Sequence, residues 1–350
     1  MNEPATNAPI SNRLLSLDQF RGYTVAGMLF VNFAGGFAAV HPIFKHHNTY
    51  CSYADTIMPQ FFFAVGFALR LVMLRNREKL GAHGALWRIL WRIALLIGIG
   101  LALYNLDWRS SLVERFWRDS FQTLVHIGVT CLWVLPVITR SLRARVLFAA
   151  GSGLLHLGLS AWFWYTLLHE KRVIDGGPLG FLTWTLPIIV GSMAHDWVKE
   201  EKSGRSALYP LLGWGAALML GGYALSCLGA GGHLAAPPFL PPWSTVDLWT
   251  MSQRAGSLSY QVFASGFSLV VYALFVWLCD RKRWQFSIFG VFGANALAAY
   301  LLQSVLEYPF SVLRYREAPL WQALGITLAF IAANVLLVWW MNRRGWFLRL

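Results

Sequence analysis

The sequence predicts an all-α polytopic membrane protein, a bundle of about ten transmembrane helices with both termini in the cytoplasm. Of its 350 residues, 57% are hydrophobic and only 13% are charged, whereas about 25% of a typical soluble domain is charged. The apolar residues form long runs, and a helix needs roughly 20 such residues to cross a bilayer. Basic residues collect in alternate connectors between the runs, as the positive-inside rule requires of a membrane protein.

Helices are predicted because lipid cannot satisfy an open backbone and the runs are too long and continuous for barrel strands. The whole chain, 1–350, is expected to form a single transmembrane domain. It would have a cytoplasmic N-terminal segment, 1–18, and a long Gly- and Pro-rich outer loop, 229–258, that could act as a lid or rim. The ten predicted spans are 19–40, 55–75, 85–105, 121–140, 144–167, 179–196, 207–228, 259–279, 286–306 and 319–341.

The net charge of +13 would favour a nucleic-acid partner in a soluble protein. Here the basic residues lie between apolar runs, so they are expected to orient the helices and contact anionic lipid, with no nucleic-acid partner. The basic connectors contain Arg75, Arg77, Lys79 and Arg88, then Arg140, Arg143 and Arg145, then Lys199, Lys202 and Arg205, then Arg281, Lys282 and Arg283, and finally Arg343, Arg344 and Arg349. This alternation puts the connector 41–54 on the outer side.

The cysteines give no sign of a metal or a disulfide framework. Cys51, Cys131, Cys227 and Cys279 lack metal-ligand spacing, and three of them lie inside apolar runs, where cysteine behaves as a small hydrophobe. No metal site is therefore predicted. A haem-binding electron carrier is also disfavoured, because the candidate histidines crowd one connector instead of facing each other from paired helices.

The strongest functional candidates lie around the first outer connector. Asn32 lies well inside the first span and is followed by Gly35 and Gly36, which permit a close backbone approach or a break in the helix. Asn32 could serve an interhelical hydrogen bond or a binding site. His46 and His47 are suited to general-base chemistry, and Asp55 could cap the second span or orient a histidine.

Other polar residues at membrane depth are candidates because their burial in lipid is costly. Asp18 and Arg21 share a helix face and form either an interfacial ion pair or part of an anion site. Gln122 and His126 share another face. Together with Asn295, Gln303 and Glu307, they favour a polar cavity within the bundle, although each alone could be a helix–helix contact.

The order of several motifs resembles that of a known family. The stretch "SLDQFRGYTVAGMLFVNFAGG", then a histidine, then "YADTIMPQFFFAVGFAL" is similar to the signature of the transmembrane acyltransferases that include heparan-α-glucosaminide N-acetyltransferase and its bacterial relatives. "FWRDSFQTLVHIGVTCLW" and "GANALAAYLL" resemble later segments of that family. The chain departs from the pattern at Thr49, Tyr50 and Cys51, where the family has Trp-Asn-Gly.

The resemblance implies an enzyme that moves an acetyl group from cytosolic acetyl-CoA to an extracytoplasmic acceptor, a sugar amine or hydroxyl. It implies catalytic roles for Asn32, Asp55 and His46, with His47 as the alternative histidine. It also implies a bacterial inner membrane location and makes a homodimer reasonable. The CoA nucleotide is expected to dock near the basic cytoplasmic edge, with Arg21 and either Arg88 or Arg92 contacting phosphate. The remaining residues assigned to the CoA site are Asp18, Gln122 and Asn295.

A second class of function stays open at this point. A transporter or flippase for a polar or anionic solute would also combine about ten helices with a polar interior and broken helices. Uptake of a solute by proteoliposomes without CoA would favour that class. A purely structural membrane protein would leave Asn32 and the histidine cluster unexplained.

Overall fold

A computed structural model describes residues 14–104, 111, 113, 115–171, 173–201, 206–231 and 233–348. The described residues form helices, turns and loops, and none of them forms a strand, which confirms the predicted all-α class. Residues 1–13 of the predicted N-terminal segment, together with Lys202, Arg205 and Arg349, lie outside the described residues.

The helices are labelled in chain order. They are α1 Leu15–Ala34, α2 Tyr53–Tyr104, α3 Thr123–Ile138, α4 Leu142–Glu170, α5 Phe181–Glu201, α6 Leu208–Cys227, α7 Leu258–Arg281, α8 Ser287–Ala294, α9 Ala296–Ser311 and α10 Leu320–Arg343. Every predicted span overlaps at least one of these helices. Within the described residues, six helices are long and apolar enough to cross a membrane, or seven if α8 and α9 form one bent span. The fold is therefore that of a polytopic membrane protein, and the number of ten crossings stays a prediction.

Helix α2 covers two of the predicted spans. It is interrupted at Gly81, whose φ of 72° is non-helical and lies in the region that glycine adopts without steric cost. The two halves of α2 therefore correspond to spans 55–75 and 85–105.

Two predicted spans needed correction. The first span ends at Ala34 rather than residue 40, because the chain leaves the helix at Gly35. The ninth span is not continuous, because α8 and α9 meet at Asn295 with a bend of 95°. The backbone of Asn295 is non-helical, with φ −141° and ψ 50°.

Close backbone contacts hold the centre of the bundle together. A Cβ atom on Gly66 of α2 would lie 2.0 Å from the carbonyl oxygen of Ile188 in α5, and a Cβ on Gly191 would lie 2.0 Å from that of Phe63. The two helices thus approach at reciprocal glycines, as small residues allow in membrane bundles. Gly66 lies on the same helix as Asp55, eleven residues further along the chain.

A partly buried ionic cluster joins α2, α4 and α5. Asp196 accepts hydrogen bonds from Arg70 Nε, at 2.6 Å, and from Arg145. The side chain of Arg145 is fully buried and also donates to the hydroxyl of Ser192. Arg145 is therefore a charge inside the bundle, and the expectation that this connector residue contacts lipid is wrong for Arg145.

Candidate active site

The site is built where α2 begins. Ser52 precedes the first turn, and its hydroxyl accepts a hydrogen bond from the backbone N–H of Asp55, at 3.3 Å. In return, the backbone N–H of Ser52 donates to Asp55 Oδ2 at 2.8 Å. This reciprocal pattern is a capping box, so the prediction that Asp55 caps α2 is confirmed. The cap occupies Oδ2 and leaves Oδ1 for another partner.

His46 is hydrogen-bonded to Asp55 Oδ1. Its Nδ1 lies 2.8 Å from Asp55 Oδ1, and its Nε2 lies 3.1 Å from Asn32 Oδ1 at the end of α1. Asp55 is fully buried, whereas 45% of the His46 side chain is open, on the cavity described below. The structure thus brings together three residues that the sequence singled out, in the order Asn32–His46–Asp55.

The two neighbours of His46 support both protonation states of its ring. An imidazolium donates one hydrogen bond to Asp55 and one to the carbonyl oxygen of Asn32. A neutral ring keeps its proton on Nδ1, toward the carboxylate, and its Nε2 lone pair then accepts from the Asn32 amino group after a half-turn of the amide. This arrangement suits a histidine that takes up and returns a proton.

The pKa of His46 is raised above the ordinary value of histidine. Burial alone would lower the pKa of His46, but the hydrogen bond and charge of Asp55, with smaller effects of Asp175 and Gln253, raise it above 6.5. The ring is therefore charged in a larger fraction of molecules near neutrality than a free histidine would be.

His47 and Cys51, which lie close to His46 in the sequence, have other surroundings. His47 donates from Nε2 to the carbonyl oxygen of Pro42, at 2.9 Å, and stacks on Tyr50 with ring centroids 4.2 Å apart. Burial, followed by the charge of Asp55, raises the pKa of the Cys51 thiol well above its ordinary value, which makes Cys51 a poor nucleophile. His46 is therefore the histidine that the geometry favours.

His46, Asp55 and Asn32 open onto a cavity of about 420 Å³. Its walls come from α1, the connector before α2, both ends of α2, the start of α3, two loops and α9. The lining side chains include Thr24, Met28, Met58, Phe61, Tyr104, Gln122, Asp175, Gln253, Arg254, Tyr300, Gln303 and Glu307. Thr24 and Asn32 are eight residues apart on α1, so the cavity runs about 12 Å along that helix.

Several cavity residues were not found from the sequence. Asp175 lies in the loop before α5, and Gln253 lies in the loop before α7, within the predicted outer loop 229–258. Gln253 Nε2 donates to Asp175 Oδ1 at 2.8 Å. The hydroxyls of Tyr104 and Tyr300 are hydrogen-bonded to each other across the cavity wall. A carboxylate beside an apolar span, followed by the turn sequence Gly-Gly, is the signal that could have found Asp175.

The other predicted polar residues separate into two groups. Gln122, Gln303 and Glu307 line the cavity. Asn295 lies elsewhere, because its amino group donates to the Trp346 carbonyl oxygen and its own oxygen accepts from the Leu348 N–H. His126 is fully buried beside Trp184 and is not among the lining residues.

Of the six residues assigned to the CoA site, Gln122 lies in the cavity wall and the other five do not. The hydroxyl of Thr24, a lining residue, donates to the backbone carbonyl of Arg21 one turn away, at 2.7 Å. Arg21 and Arg88 are close enough to Arg92 for their charges to act on it. Asp18 lies on the same helix, where its carbonyl faces Gly293 of α8. Arg21 thus begins one helical turn from the end of the cavity at Thr24, and its charge and that of Arg88 act on Arg92.

The fold and the site define a polytopic helical membrane protein with a polar cavity that contains a carboxylate–histidine–amide arrangement. No family model matches the chain. It is 35% identical over 108 residues to heparan-alpha-glucosaminide N-acetyltransferase of Mus musculus and 35% identical over 107 residues to the enzyme of that name from Homo sapiens. Each match covers 29% of this chain and 16% of the relative. Part of the chain is therefore related in sequence to these N-acetyltransferases.

Proposed function

We propose that this protein is a membrane acetyltransferase that moves the acetyl group of cytosolic acetyl-CoA to an amine or hydroxyl of an acceptor on the other side of the membrane. The observation that carries the proposal is His46, held between Asp55 and Asn32 at the wall of a cavity. The similarity to two N-acetyltransferases supports the same reaction class.

His46 acts as the base in this proposal. The acceptor first displaces the Asn32 amide from the lone pair of His46 Nε2. As the acceptor nitrogen or oxygen then attacks the carbonyl carbon of the thioester, Nε2 takes the acceptor's proton. The tetrahedral intermediate then collapses, the carbon–sulfur bond breaks, and the imidazolium returns the proton to the CoA thiolate. Asp55 keeps Nδ1 protonated and stabilises the charged ring, as the carboxylate does in other base–carboxylate pairs.

Asn32 serves the transition state. When His46 is an imidazolium, the carbonyl oxygen of Asn32 accepts from Nε2, and the Asn32 amino group is free to donate to the developing oxyanion of the thioester. The neutral and charged rings thus use opposite ends of the same amide. Asn32 is on a helix, so its backbone is fixed before the substrate arrives and only the amide group turns.

The donor approaches from the arginine end. CoA carries several phosphates, and Arg21, Arg88 and Arg92 form the cationic cluster that would bind them. The pantetheine arm then extends past Thr24 into the cavity and brings the thioester toward His46. The distribution of basic residues supports a cytoplasmic position for this end. The proposed location is a bacterial inner membrane.

A covalent route would use the same atom of His46. In that route Nε2 attacks the thioester itself and carries the acetyl group until the acceptor arrives. Rapid quenching after mixing with radiolabelled acetyl-CoA, without acceptor, distinguishes the two. The base mechanism predicts no protein-bound acetyl group, and a stoichiometric burst of bound label contradicts it.

Calorimetry tests the proposed function directly. Purified full-length protein in detergent is titrated with acetyl-CoA, with CoA and ATP as comparison ligands. We expect saturable binding of acetyl-CoA, followed by release of free CoA thiol when an amino sugar is added. Folded protein that does not bind acetyl-CoA would contradict the proposal. Solute uptake into proteoliposomes without CoA would then support a transporter.

A further inference from the structure

Asp175 is a buried carboxylate that the proposed reaction has not used. Only 6% of the residue is exposed, and it lines the same cavity as His46. Its side-chain partner is Gln253. No lysine or arginine within the described part of the chain forms an ion pair with it. A buried carboxylate without a counter-ion is costly, and a bound cation would relieve that cost.

The fold holds Asp175 in place without needing its carboxylate. The backbone carbonyl of Asp175 accepts from the indole N–H of Trp184 at 2.8 Å. The next N–H, that of Gly176, donates to the Arg254 carbonyl at 3.0 Å. Asp175 itself adopts a left-handed φ of 55°, a conformation that costs energy in most residues other than glycine. These contacts fix the turn, so the carboxylate remains available to a ligand.

The surrounding wall offers further hydrogen-bond acceptors. Gln253 Oε1 and Gln303 Oε1 are both buried, and neither has a partner within the described residues. Gln303 is 8% exposed and lines the cavity. Glu307, one turn further along α9, also lines it, and is paired with Arg314 at 3.2 Å. Unpaired buried acceptors are costly, and a ligand rich in N–H and O–H groups would satisfy them.

We propose that Asp175 is the residue that binds the acceptor, holding the protonated amino group of an amino sugar opposite His46, while Gln253 and Gln303 accept hydrogen bonds from the acceptor's other N–H and O–H groups. This inference rests on the proposed function and assigns its acceptor to the amines. Gln253 connects the two sides, because it donates to Asp175 and lines the same cavity as His46.

The proton balance explains why an amine acceptor needs a second base. An aliphatic amine is largely protonated near neutrality and has no lone pair for attack. One N–H bond of the ammonium breaks as its proton passes to the Asp175 carboxylate, which leaves a neutral amine. The amine attacks the thioester carbonyl, and His46 takes the second proton and passes it to the departing thiolate. Asp175 releases the first proton to solvent when the amide product leaves, which restores the carboxylate. A hydroxyl acceptor would release only one proton and would need only His46.

Binding of a matched pair of sugars tests the assignment. D-glucosamine and D-glucose differ at one ring position, which carries an amine in the first and a hydroxyl in the second. Calorimetry with full-length protein in detergent should show tighter binding of glucosamine. Asp175→Asn should weaken glucosamine binding about 10- to 100-fold, the size expected for losing a charged hydrogen bond. Asp175→Glu should recover part of the loss.

The control is Glu317→Gln, which removes one negative charge from an exposed side chain outside the cavity. Glucosamine binding by this variant should stay within about twofold of wild type, as for most surface substitutions. The proposal is overturned if Asp175→Asn binds glucosamine as tightly as wild type. It is overturned equally if wild type prefers glucose or does not discriminate, a result that needs no variant to fold.

The pH dependence separates ligand binding from a structural role. Burial raises the pKa of Asp175 to about 6, although the Gln253 hydrogen bond and the charge of His46 partly offset this effect. Glucosamine affinity should therefore fall as the pH drops through about 6, and Asp175→Asn should lack that step. The other titratable or charged groups that line the cavity or interact with Asp175 are His46, His47, Asp55, Tyr104, Arg254, Tyr260, Tyr300 and Glu307. A profile unchanged in the variant contradicts the assignment.

Acetyl-CoA binding provides the independent readout. The proposed CoA path runs along the opposite end of the cavity, so Asp175→Asn should bind acetyl-CoA normally. If wild type binds glucosamine in the expected way but not acetyl-CoA, the proposed function fails and the amine site stands. If acetyl-CoA binds and Asp175→Asn leaves glucosamine binding intact, the amine site fails alone.

Discussion

His46 Nδ1 lies 2.8 Å from Asp55 Oδ1, nine residues further along the chain. The other oxygen of the same carboxylate caps the first turn of α2 through Ser52. The start of a transmembrane helix therefore fixes the position of the imidazole. The two roles can be separated experimentally, because one belongs to the charge of Asp55 and the other to the hydroxyl of Ser52.

Asp55→Asn should shift the pH dependence of acetyl transfer. His46 works as a base only when neutral, so activity falls as the pH drops through its pKa. Asp55 raises that pKa above 6.5. Removing its charge should move the acid limb of the kcat/KM profile to lower pH. The maximal rate should also fall by about 10²-fold, since a misplaced catalytic group costs that much.

Ser52→Ala is the matched control for that experiment. It removes a helix cap and should lower the free energy of unfolding by about 1 kcal/mol. The acid limb should stay where it is in wild type, because the Asp55 charge is retained. A profile that moves in Ser52→Ala and not in Asp55→Asn would assign the effect to the cap.

Asn32→Asp should shift the pH profile of acetyl transfer in the direction opposite to Asp55→Asn. A second carboxylate at His46 Nε2 would favour the imidazolium and raise the pKa of the histidine further. The acid limb should move to higher pH, and activity near neutrality should fall. Asn32→Ala should lower kcat without moving the limb upward. Equal profiles for the two variants would show that the amide does not act on His46.

Arg92→Ala should weaken acetyl-CoA binding about 10- to 100-fold, because a charged hydrogen bond to phosphate contributes about 1.5–3 kcal/mol. The difference in affinity between Arg92→Ala and wild type should shrink as salt is added, because salt screens the attraction between Arg92 and phosphate in the wild type. Arg316→Ala, which removes an arginine whose side chain is 85% exposed, is the control. Calorimetry that finds equal affinities for the two variants would remove Arg92 from the CoA site.

Gly66→Ala should destabilise the bundle, because the new Cβ would lie 2.0 Å from the Ile188 carbonyl oxygen. The backbones of α2 and α5 would have to separate, and Tm in detergent should drop. Gly98→Ala is the control on the same helix. Nothing lies within 4 Å of a Cβ at that position, so Gly98→Ala should be neutral or stabilising by up to about 1 kcal/mol. The opposite ranking of the two melting temperatures would contradict the packing described here.

The sequence was sufficient for the part of the site that is local in the chain. Asn32, His46 and Asp55 lie within 24 residues, and the length of the apolar runs and the capping pattern place them at one end of two consecutive helices. The helix positions could be predicted from hydropathy because hydropathy is also a local property of consecutive residues. The bend at Asn295 did not, because "FGANALAAY" is apolar on both sides of the break.

The opposite wall of the cavity depends on long-range packing. Asp175 and Gln253 are 78 residues apart and meet because the loops before α5 and α7 are hydrogen-bonded to each other. No periodicity in the sequence records such a contact. Asn295 also depends on long-range packing. The sequence indicated a polar residue inside the bundle, but it did not reveal that the partners of Asn295 are Trp346 and Leu348.

The most direct test of the central role of His46 is the rate of CoA-thiol release by purified protein with acetyl-CoA and D-glucosamine. Wild type, His46→Ala and His47→Ala are compared at saturating acetyl-CoA. The rate of His46→Ala should fall by about 10²- to 10⁴-fold, the usual contribution of a general base, whereas His47→Ala should keep most of the wild-type rate. A His46→Ala variant that releases CoA as fast as wild type would contradict the account.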